Sequence, residues 1–257
     1  MEFNELSDFL NEKAEYYETL DFIESDPIQI PHQFSKKEDI EIAGFLASTI
    51  AWGQRPTIIR NAQFLVENMD MAPHDFVQNF TDSDLDGFSS FKHRTFNFDD
   101  LKHFLFSLQN LYQNHQGLEG AFSQYPEDMG LNISKFKELF FAIDHLPRTQ
   151  KHVSDPLKGS AAKRLNMYLR WMVRPNTKGV DFGIWKKLQP KHLYLPLDVH
   201  TGNVSKRLAI LHRKQSDWKA LEEIMSTLKK LDPEDPVKYD FALFGLGVFE
   251  DFGKANS

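Results

Sequence analysis

The sequence predicts an all-α fold with about ten helices, and two observations indicate this class. Apolar residues recur at helical spacing along most of the 257-residue chain. Runs that alternate between apolar and polar residues, as strands do, are short and scattered. Hydrophobic residues make up 41% of the chain, which is enough for a sizeable core. A chain of this length folds as one large domain or as two small ones.

Three helix starts can be placed in chain order. Ser35-Lys36-Lys37-Glu38 has the form of a capping box. Arg55-Pro56 puts proline at a first helical position, and Asp235-Pro236 predicts a helix that runs towards Gly245. Two helices have clear apolar faces, which are Ile42, Ala43, Leu46, Ala47, Ile50 and Ala51 in one and Leu101, Phe104, Leu105, Leu108, Leu111 and Tyr112 in the other. We expect both faces to be buried.

Two segments break the helical pattern. Residues 82–97 mix Phe with Asp and Ser, which predicts a loop. Residues 175–196 are rich in Pro and Lys, which predicts a long connection with one short helix. Connections of more than about 12–15 residues in a compact domain usually have a function. The second segment is therefore a candidate for shaping a binding pocket.

Charge is distributed unevenly along the chain. The net charge is −7, which by itself argues against a nucleic-acid partner. Residues 148–214, however, contain fifteen Lys or Arg and only three Asp or Glu, so this stretch carries +12 and the remainder −19. Such segregation favours a surface that binds a polyanion. The alternative is that these helices simply expose solvated lysines and arginines.

Composition excludes several other classes of protein. There is no cysteine, which rules out disulfides, thiolate zinc sites and cysteine-ligated iron–sulfur clusters. The ten histidines show no H-E-x-x-H spacing, and no Walker A or G-x-G-x-x-G element is present, so we expect neither a metal nor a cofactor. No apolar run is long enough to span a membrane, and the acidic start MEFNELSDFL is no secretory signal. We expect a cytoplasmic protein without a membrane partner.

The segment before Lys163 has the features of an anion site. Gly159, Ser160, Ala161 and Ala162 form a turn of small residues that leads into a helix, where free backbone N–H groups attract a phosphate. Lys163 lies in the first turn of that helix, where the helix dipole disfavours a positive charge. The same dipole favours a neutral, nucleophilic amine. The alternative is an ordinary solvated lysine.

A second segment surrounds Asp198. This residue stands where the N-cap of the following helix belongs, and a capping carboxylate that accepts N–H hydrogen bonds stays ionised. Capping alone is a sufficient explanation for it. With Leu197 beside it and Lys206 and Arg207 one to two turns later, however, the same carboxylate could face a cationic reacting centre next to a phosphate backbone.

These segments resemble the two halves of the signature of the helix-hairpin-helix DNA glycosylases, the endonuclease III-like superfamily. That family combines L-P-G-x-G-x-K with a downstream D-x-H-x-x-x-V-x-x-R-L. Residues 157–163 align with the first element, and Asp198, His200, Val204, Arg207 and Leu208 stand at the offsets of the second. Residues 46–54 (LASTIAWGQ) are similar to the family's early helix, which ends in a glutamine that is inserted into the DNA.

The sequence also departs from this pattern. Lys158 and Ala161 replace the hairpin's proline and second glycine. The interval of 35 positions from Lys163 to Asp198 is longer than in most members and is similar to that of the archaeal 8-oxoguanine glycosylases. The whole chain most resembles a bacterial glycosylase-like family of the DUF2400 type. This second resemblance does not by itself imply an activity. The resemblance implies a two-lobed unit over residues 1–257 with a central cleft, its lobes being 35–174 and 1–34 plus 175–257.

The resemblance also implies a set of site residues. Lys163 would attack the sugar and Asp198 would stabilise its positive charge, giving a bifunctional glycosylase and lyase; otherwise Asp198 would activate water. The implied DNA contacts are Gln54 in the gap left by the flipped base and, elsewhere, Lys158, Gly159, Arg164, His200, Lys206 and Arg207. Candidates for the base pocket are Trp52, Trp171 and Trp185; the alternative, which the 34 aromatic residues of the chain favour, is that each belongs to the core.

The function expected from this resemblance is base-excision repair. The protein would act as a monomer on double-stranded DNA, and the Lys–Asp interval favours an oxidised purine such as 8-oxoguanine as the damaged base. Two alternatives stay open. One is a non-catalytic helix-hairpin-helix module that binds nucleic acid, and the other is an all-α interaction protein with no nucleic-acid role.

Overall fold

The computed structural model describes residues 2–252 and confirms the all-α class. Within this part of the chain lie twelve α-helices, seven short 3₁₀ helices and one two-stranded sheet. The α-helices are α1 (Phe3–Tyr17), α2 (Asp21–Glu24), α3 (Lys37–Thr49), α4 (Arg55–Glu67), α5 (Pro73–Asn79), α6 (Phe98–Asn114), α7 (Gly117–Ala121), α8 (Met129–Phe140), α9 (Lys163–Val173), α10 (Val199–Arg207), α11 (Trp218–Leu231) and α12 (Tyr239–Phe249). Strands β1 (Lys92–His93) and β2 (Phe96–Asn97) pair in antiparallel fashion.

The 3₁₀ helices are short and stand mostly in the connections. They are Pro27–Gln29, Pro31–Gln33, Asp82–Phe88, Pro147–His152, Pro156–Lys158, Pro190–His192 and Pro236–Lys238. Six of the seven begin with proline, whose fixed φ suits a first helical position. No helix in residues 2–252 is long and apolar enough to cross a membrane.

The chain divides into two compact units. Residues 2–22 and 155–252 form one, here called the terminal unit, and Ile23–Ser154 form the other, the middle unit. The resemblance grouped residues 35–174 together, whereas in the structure α9 belongs with the two ends of the chain. The reason lies in the contacts of α9 within the terminal unit: Arg170 bonds to Asp240 of α12, and Arg174 bonds to Glu18.

The middle unit is built around the buried helix α3. The expected apolar face of α3 is confirmed, since its six residues are all buried. The capping box proposed at Ser35 is wrong: α3 begins at Lys37, and Lys36 is an N-cap whose side chain makes no capping bond. Ser35 thus lies one residue outside the cap position. The start at Arg55-Pro56 is confirmed by α4, and the stripe on α6 is buried apart from the half-exposed Tyr112.

The prediction of a loop at residues 82–97 is wrong. Thr81 and Asp84 form a reciprocal capping box that opens the 3₁₀ helix Asp82–Phe88, and a hairpin of β1 and β2 follows. Phe88 and Phe96 are wholly buried and anchor this segment. Its polar residues therefore serve as caps and turns between buried aromatic side chains, a combination that sequence periodicity misses.

The terminal unit has α12 at its centre, with α1 and α10 packed against it. Close approach of these helices requires glycine, because a Cβ at Gly245 would meet Tyr17 at 2.2 Å and one at Gly247 would meet His200 at 2.8 Å. Pro236 opens the 3₁₀ helix Pro236–Lys238 rather than α12, which begins at Tyr239. Residues 175–196 form the expected connection, with Pro190–His192 as its one short helix in the described chain.

Candidate functional site

The turn before α9 has a conformation that depends on glycine. Gly159 has φ +89°, and nothing lies within 4 Å of a Cβ built on it, so the left-handed backbone rather than crowding favours glycine there. The amide of Trp218 donates to the Gly159 carbonyl at 3.0 Å, and Ser160 forms a bridge with Asp217. These bonds fasten the turn to the start of α11 and fix where α9 begins.

The turn differs from a hairpin between two α-helices. The element before Gly159 is the 3₁₀ helix Pro156–Lys158, and Ala162 enters α9 with a left-handed φ of +46°. A residue with a Cβ pays roughly 1–2 kcal/mol for that conformation. Lys163 follows as the first residue of α9, as the sequence predicts.

Asp198 is the N-cap of α10, as its position in the sequence predicts. Its Oδ1 accepts a hydrogen bond from the amide of Thr201 at 2.8 Å. The capping bond holds Oδ1 against the start of α10, and Oδ2 points away from this helix. The local sequence thus fixes the direction of the carboxylate.

That second oxygen meets Lys163. Lys163 Nζ and Asp198 Oδ2 are 3.3 Å apart, although 35 positions separate the two residues in the sequence. The Lys163 side chain is 39% exposed and that of Asp198 is 12% exposed. The amine is therefore partly open to solvent on one side and paired with a carboxylate on the other.

Arg170, also on α9, belongs to a cluster of buried charges. Its Nη1 donates to Asp240 of α12, its Nε donates to Asp181 at 3.2 Å, and its guanidinium lies over the ring of Phe241. Arg174 donates to Asp181 at 3.2 Å, to Asp235 at 2.8 Å and to Glu18 at 3.0 Å. Two arginines thus hold four carboxyl groups.

This cluster is linked electrostatically to the site. Burial raises the pKa of Asp240 to about 7, Arg170 acts in the opposite direction, and the charge of Asp198 adds to the rise. Burial likewise raises the pKa of Asp235. With four carboxylates and two guanidiniums the cluster would carry a charge of −2, and a proton on Asp240, whose pKa is raised, would reduce this to −1.

The residues proposed to contact DNA differ in their accessibility. Lys158, Gly159, His200 and Lys206 are exposed. Arg207 is also exposed, but its Nη1 already donates to the carbonyl of Phe252 at 2.8 Å, and its guanidinium lies over the Phe252 ring. Arg164 is half-buried, and burial lowers the pKa of its guanidinium to about 10. Five of these six are therefore open to solvent, although Lys158 Nζ also lies 3.8 Å from Asp155 Oδ2.

Two tryptophans proposed for the base pocket are in the core instead. Trp171 has no exposed surface, and Trp185 is 1% exposed with its ring edge-on to Tyr168. Neither offers a ring face on which a base could stack, so this prediction is wrong. Trp171 lies on the buried face of α9, where an amphipathic helix places large apolar side chains, and Trp185 is buried in the connection that follows α9.

Trp52 and Gln54 belong to the middle unit. Gln54 is exposed and is the N-cap of α4, without a capping bond from its side chain. Trp52 is half-buried, and its carbonyl accepts a hydrogen bond from His93 Nε2 at 3.0 Å. Asn61 donates to the other ring nitrogen of His93 at 2.8 Å, which fixes the tautomer and ties β1 to the segment that carries Gln54.

Sequence reasoning missed Asp240 and Arg170. A signal was present, since Asp240 interrupts the apolar run YDFALFGLGVF and Arg170 lies between Leu169 and Trp171. Charged residues within apolar helix faces require partners, which predicts a buried ion pair but not which residues form it. Within residues 2–252, no group of three or more His, Asp or Glu side chains is arranged to hold a metal ion.

Comparison with known proteins yields one match. A family model described as "Protein of unknown function (DUF2400)" matches residues 26–249, which includes Lys163, Asp198 and the residues proposed to contact DNA. No curated protein and no solved structure matches the chain.

Proposed function

We propose that this member of the DUF2400 family is a DNA base-excision glycosylase with lyase activity, acting on an oxidised purine such as 8-oxoguanine. The observation that supports this most directly is the 3.3 Å approach of Lys163 Nζ to Asp198 Oδ2, with the amine partly open to solvent. An amine next to a carboxylate is the pair that nucleophilic displacement at a sugar carbon needs.

The reaction proceeds in three steps. Asp198 takes a proton from Lys163, and the amine attacks C1′ of the damaged nucleotide while the carbon–nitrogen bond to the base breaks. The base leaves with the bonding electrons and takes up a proton. A second proton then passes from Nζ to O4′ as the C1′–O4′ bond breaks and the sugar ring opens, which gives a protonated imine between Nζ and C1′. Removal of a proton from C2′ then expels the 3′ phosphate and nicks the strand.

Asp198 has a second role in this scheme. Positive charge develops on C1′ as the base departs, and a fixed carboxylate stabilises it. The capping bond from Thr201 prevents Asp198 from turning away, so the charge is oriented before the substrate binds. The resemblance of residues 198–208 to the D-x-H-x-x-x-V-x-x-R-L element supports the same assignment.

The charge of residues 148–214 supports DNA as the partner. This stretch carries +12 in the sequence; Arg170 and Arg174 are buried and paired within the protein, but the exposed Lys158, Gly159 and Lys206 lie in the same stretch. Glycine lets a phosphate approach the backbone closely. Each phosphate contacted by a lysine makes log affinity fall more steeply with log salt concentration, by about 0.9 in the slope. Phosphate contacts would position the strand without reading its sequence.

Borohydride trapping on duplex DNA tests the proposal. The full chain is incubated with a duplex that carries 8-oxoguanine or an abasic site, and the imine is reduced to a covalent adduct. We expect an adduct with the natural protein, none with Lys163→Ala, and a normal amount with Lys230→Ala, an exposed lysine on α11 that serves as the matched control.

The same experiment separates the alternatives. Base release without an adduct supports a monofunctional enzyme in which Asp198 activates water. Salt-sensitive DNA binding with neither adduct nor base release supports the non-catalytic module. If the protein does not bind DNA at low salt, the proposal is wrong.

A further inference from the structure

The start of α11 carries an aromatic pair that the proposed reaction does not use. The ring of Trp218, the first residue of α11, stacks on Tyr194 with centroids 4.7 Å apart and planes inclined by 29°. Tyr194 comes from the connection 175–196, which the sequence predicts as a candidate for shaping a binding pocket. Both residues are half-buried, and both belong to the terminal unit.

The position of Lys229 shows which face of Trp218 the tyrosine covers. Lys229 Nζ lies 4.8 Å from the centroid of the Tyr194 ring. Lys229 is also on α11, about 16 Å further along the helix axis than Trp218 at 1.5 Å per residue. Tyr194 therefore lies between the two and covers the face of Trp218 that looks along α11. The other face is turned toward the N-terminal end of this helix, and within residues 2–252 Trp218 makes no other ring or cation contact.

The turn at Gly159 lies at that end of α11. The amide of Trp218 donates to the Gly159 carbonyl at 3.0 Å, and Asp217 forms a bridge with Ser160. The Trp218 ring thus projects from the same backbone that fastens the turn. Leu157, two residues before Gly159, is 66% exposed. Apolar surface therefore adjoins the turn that is proposed to bind a phosphate.

Positive charge is concentrated at the same place. Lys219 follows Trp218 directly, Lys214 is four positions earlier, Lys158 precedes Gly159, and all three lysines are exposed. The neighbouring acid, Asp217, is held by Arg213 Nε at 2.7 Å. An aromatic ring among lysines is the combination with which proteins bind single-stranded nucleic acid, since the lysines contact phosphates while the ring stacks on a base.

A stacking ring selects an unpaired base. In a duplex both faces of each base are covered by the bases above and below it. A side-chain ring reaches a base face only where the strand is single or where the base has turned out of the stack. Trp218 and the turn together therefore fit a nucleotide whose phosphate binds at Gly159 and whose base is unpaired.

We propose that Trp218, held in place by Tyr194, is the stacking surface for one unpaired nucleotide of a DNA strand whose phosphate binds at the Gly159 turn. The inference rests on the nucleic-acid partner of the proposed function, but not on the chemistry of Lys163 and Asp198. It gives the connection 175–196 a role in substrate binding through Tyr194. Any of the four bases suits this surface, because every base has a π face.

Fluorine NMR on the full chain labelled with 5-fluorotryptophan tests this proposal. The chain has four tryptophans, and the resonance that is lost in Trp218→Phe belongs to Trp218. The probe is single-stranded oligothymidylate of about eight nucleotides, and the control is an oligomer of the same length and charge made of abasic sugar phosphates. We expect oligothymidylate to shift the Trp218 resonance and the abasic oligomer to shift it much less. Equal shifts with the two, or no shift with either, would overturn the proposal.

Affinities measured over a range of salt concentrations separate stacking from charge. We expect Trp218→Ala to weaken the binding of oligothymidylate about tenfold or more and to leave its salt dependence unchanged, because no charge is removed. Lys219→Ala should instead reduce the salt dependence. Tyr125→Ala, which removes a 40% exposed ring from the middle unit, should bind like the natural protein. Unchanged affinity of Trp218→Ala would contradict the proposal.

The same titrations on Lys163→Ala distinguish this proposal from the proposed reaction. A Trp218 shift with oligothymidylate in that variant supports the stacking surface even if borohydride trapping of the natural protein fails. An adduct on duplex DNA without any Trp218 response to oligothymidylate contradicts the stacking surface and leaves the proposed reaction intact.

Discussion

Helix α9 carries two ion-pair regions that differ in burial and in number of partners. At its first residue, Lys163 has Asp198 at 3.3 Å and a side chain that is 39% exposed. Further along the helix, the side chains of Arg170 and Arg174 are 3% and 5% exposed, and each donates to at least two carboxyl groups. The buried pairs use up their hydrogen-bonding capacity within the protein, whereas Lys163 keeps donors and solvent access for a ligand.

This difference distinguishes charged groups that hold the fold together from a charged group that is available for chemistry. If a buried arginine moved away from its carboxylates, both would become buried charges with neither a partner nor water. The buried arginines therefore hold α9, α12 and α1 together. A half-exposed lysine with one partner can exchange that partner for a substrate at little cost. The two regions should therefore respond differently to substitution.

The largest effect is expected from Arg170→Ala. Removing this guanidinium leaves Asp240 and Asp181 buried without their common partner, which typically costs about 3–5 kcal/mol of unfolding free energy. Urea denaturation of the variant and of Arg60→Ala, an exposed arginine on α4, measures the difference. A loss no greater than that of the Arg60 control would show that the cluster is not structural.

A smaller, pH-dependent effect is expected from Asp240→Asn. The pKa of Asp240 in the folded protein is about 7, above its ordinary value of 3.8. The stability it contributes is therefore fully present below pH 4 and is lost as the pH rises through 7, because the unfolded chain releases a proton that the folded chain retains. Asparagine does not titrate, so the variant should escape this loss.

The measurement is the free energy of unfolding of both proteins at pH 5 and pH 8. The natural protein should lose stability relative to Asp240→Asn over this interval, by roughly 1.4 kcal/mol for each pKa unit involved. A difference that does not change with pH would show that burial in the cluster does not raise the pKa of Asp240.

How much of this comparison the sequence could predict depends on the kind of contact. The cap at Asp198 and the start of α9 at Lys163 follow from local residue order, and both were predicted. The apolar spacing likewise predicted the buried faces of α3 and α6. Trp171 is a candidate for the base pocket in the sequence, but it lies on an apolar face of α9 and belongs to the core. Periodicity predicts that a residue is buried but not which elements it packs against.

The buried cluster shows why the remaining contacts could not be predicted from the sequence. Arg174 bonds to Glu18, which lies 156 positions earlier in the chain, and no local pattern connects them. Pairing across such distances is set by tertiary packing, which a single sequence does not display. The Lys163–Asp198 approach was anticipated only through a resemblance to a known family, since composition and spacing alone leave both residues with ordinary explanations.

A third prediction separates the two roles of Asp198. Alanine removes both the cap and the charge and should lower stability by about 1 kcal/mol, whereas asparagine caps helices as well as aspartate does and should leave stability nearly unchanged. Both variants should lose base release, because neither carries a charge next to Lys163. Thermal unfolding and trapping assays on the same samples give both readings, and activity retained by Asp198→Asn would mean that the carboxylate acts only as a cap.

The smallest stability effect is expected from Lys163→Ala, the variant that should have the largest effect on trapping. A half-exposed pair in water contributes about 0.2–1 kcal/mol, and the loss is expected at the lower end because alanine suits a helix better than lysine does. Urea denaturation should therefore place the variant close to the natural protein while its covalent adduct disappears. If Lys163→Ala were instead as destabilising as Arg170→Ala, the exposed pair would be part of the structural framework, and the distinction between the two regions of α9 would fail.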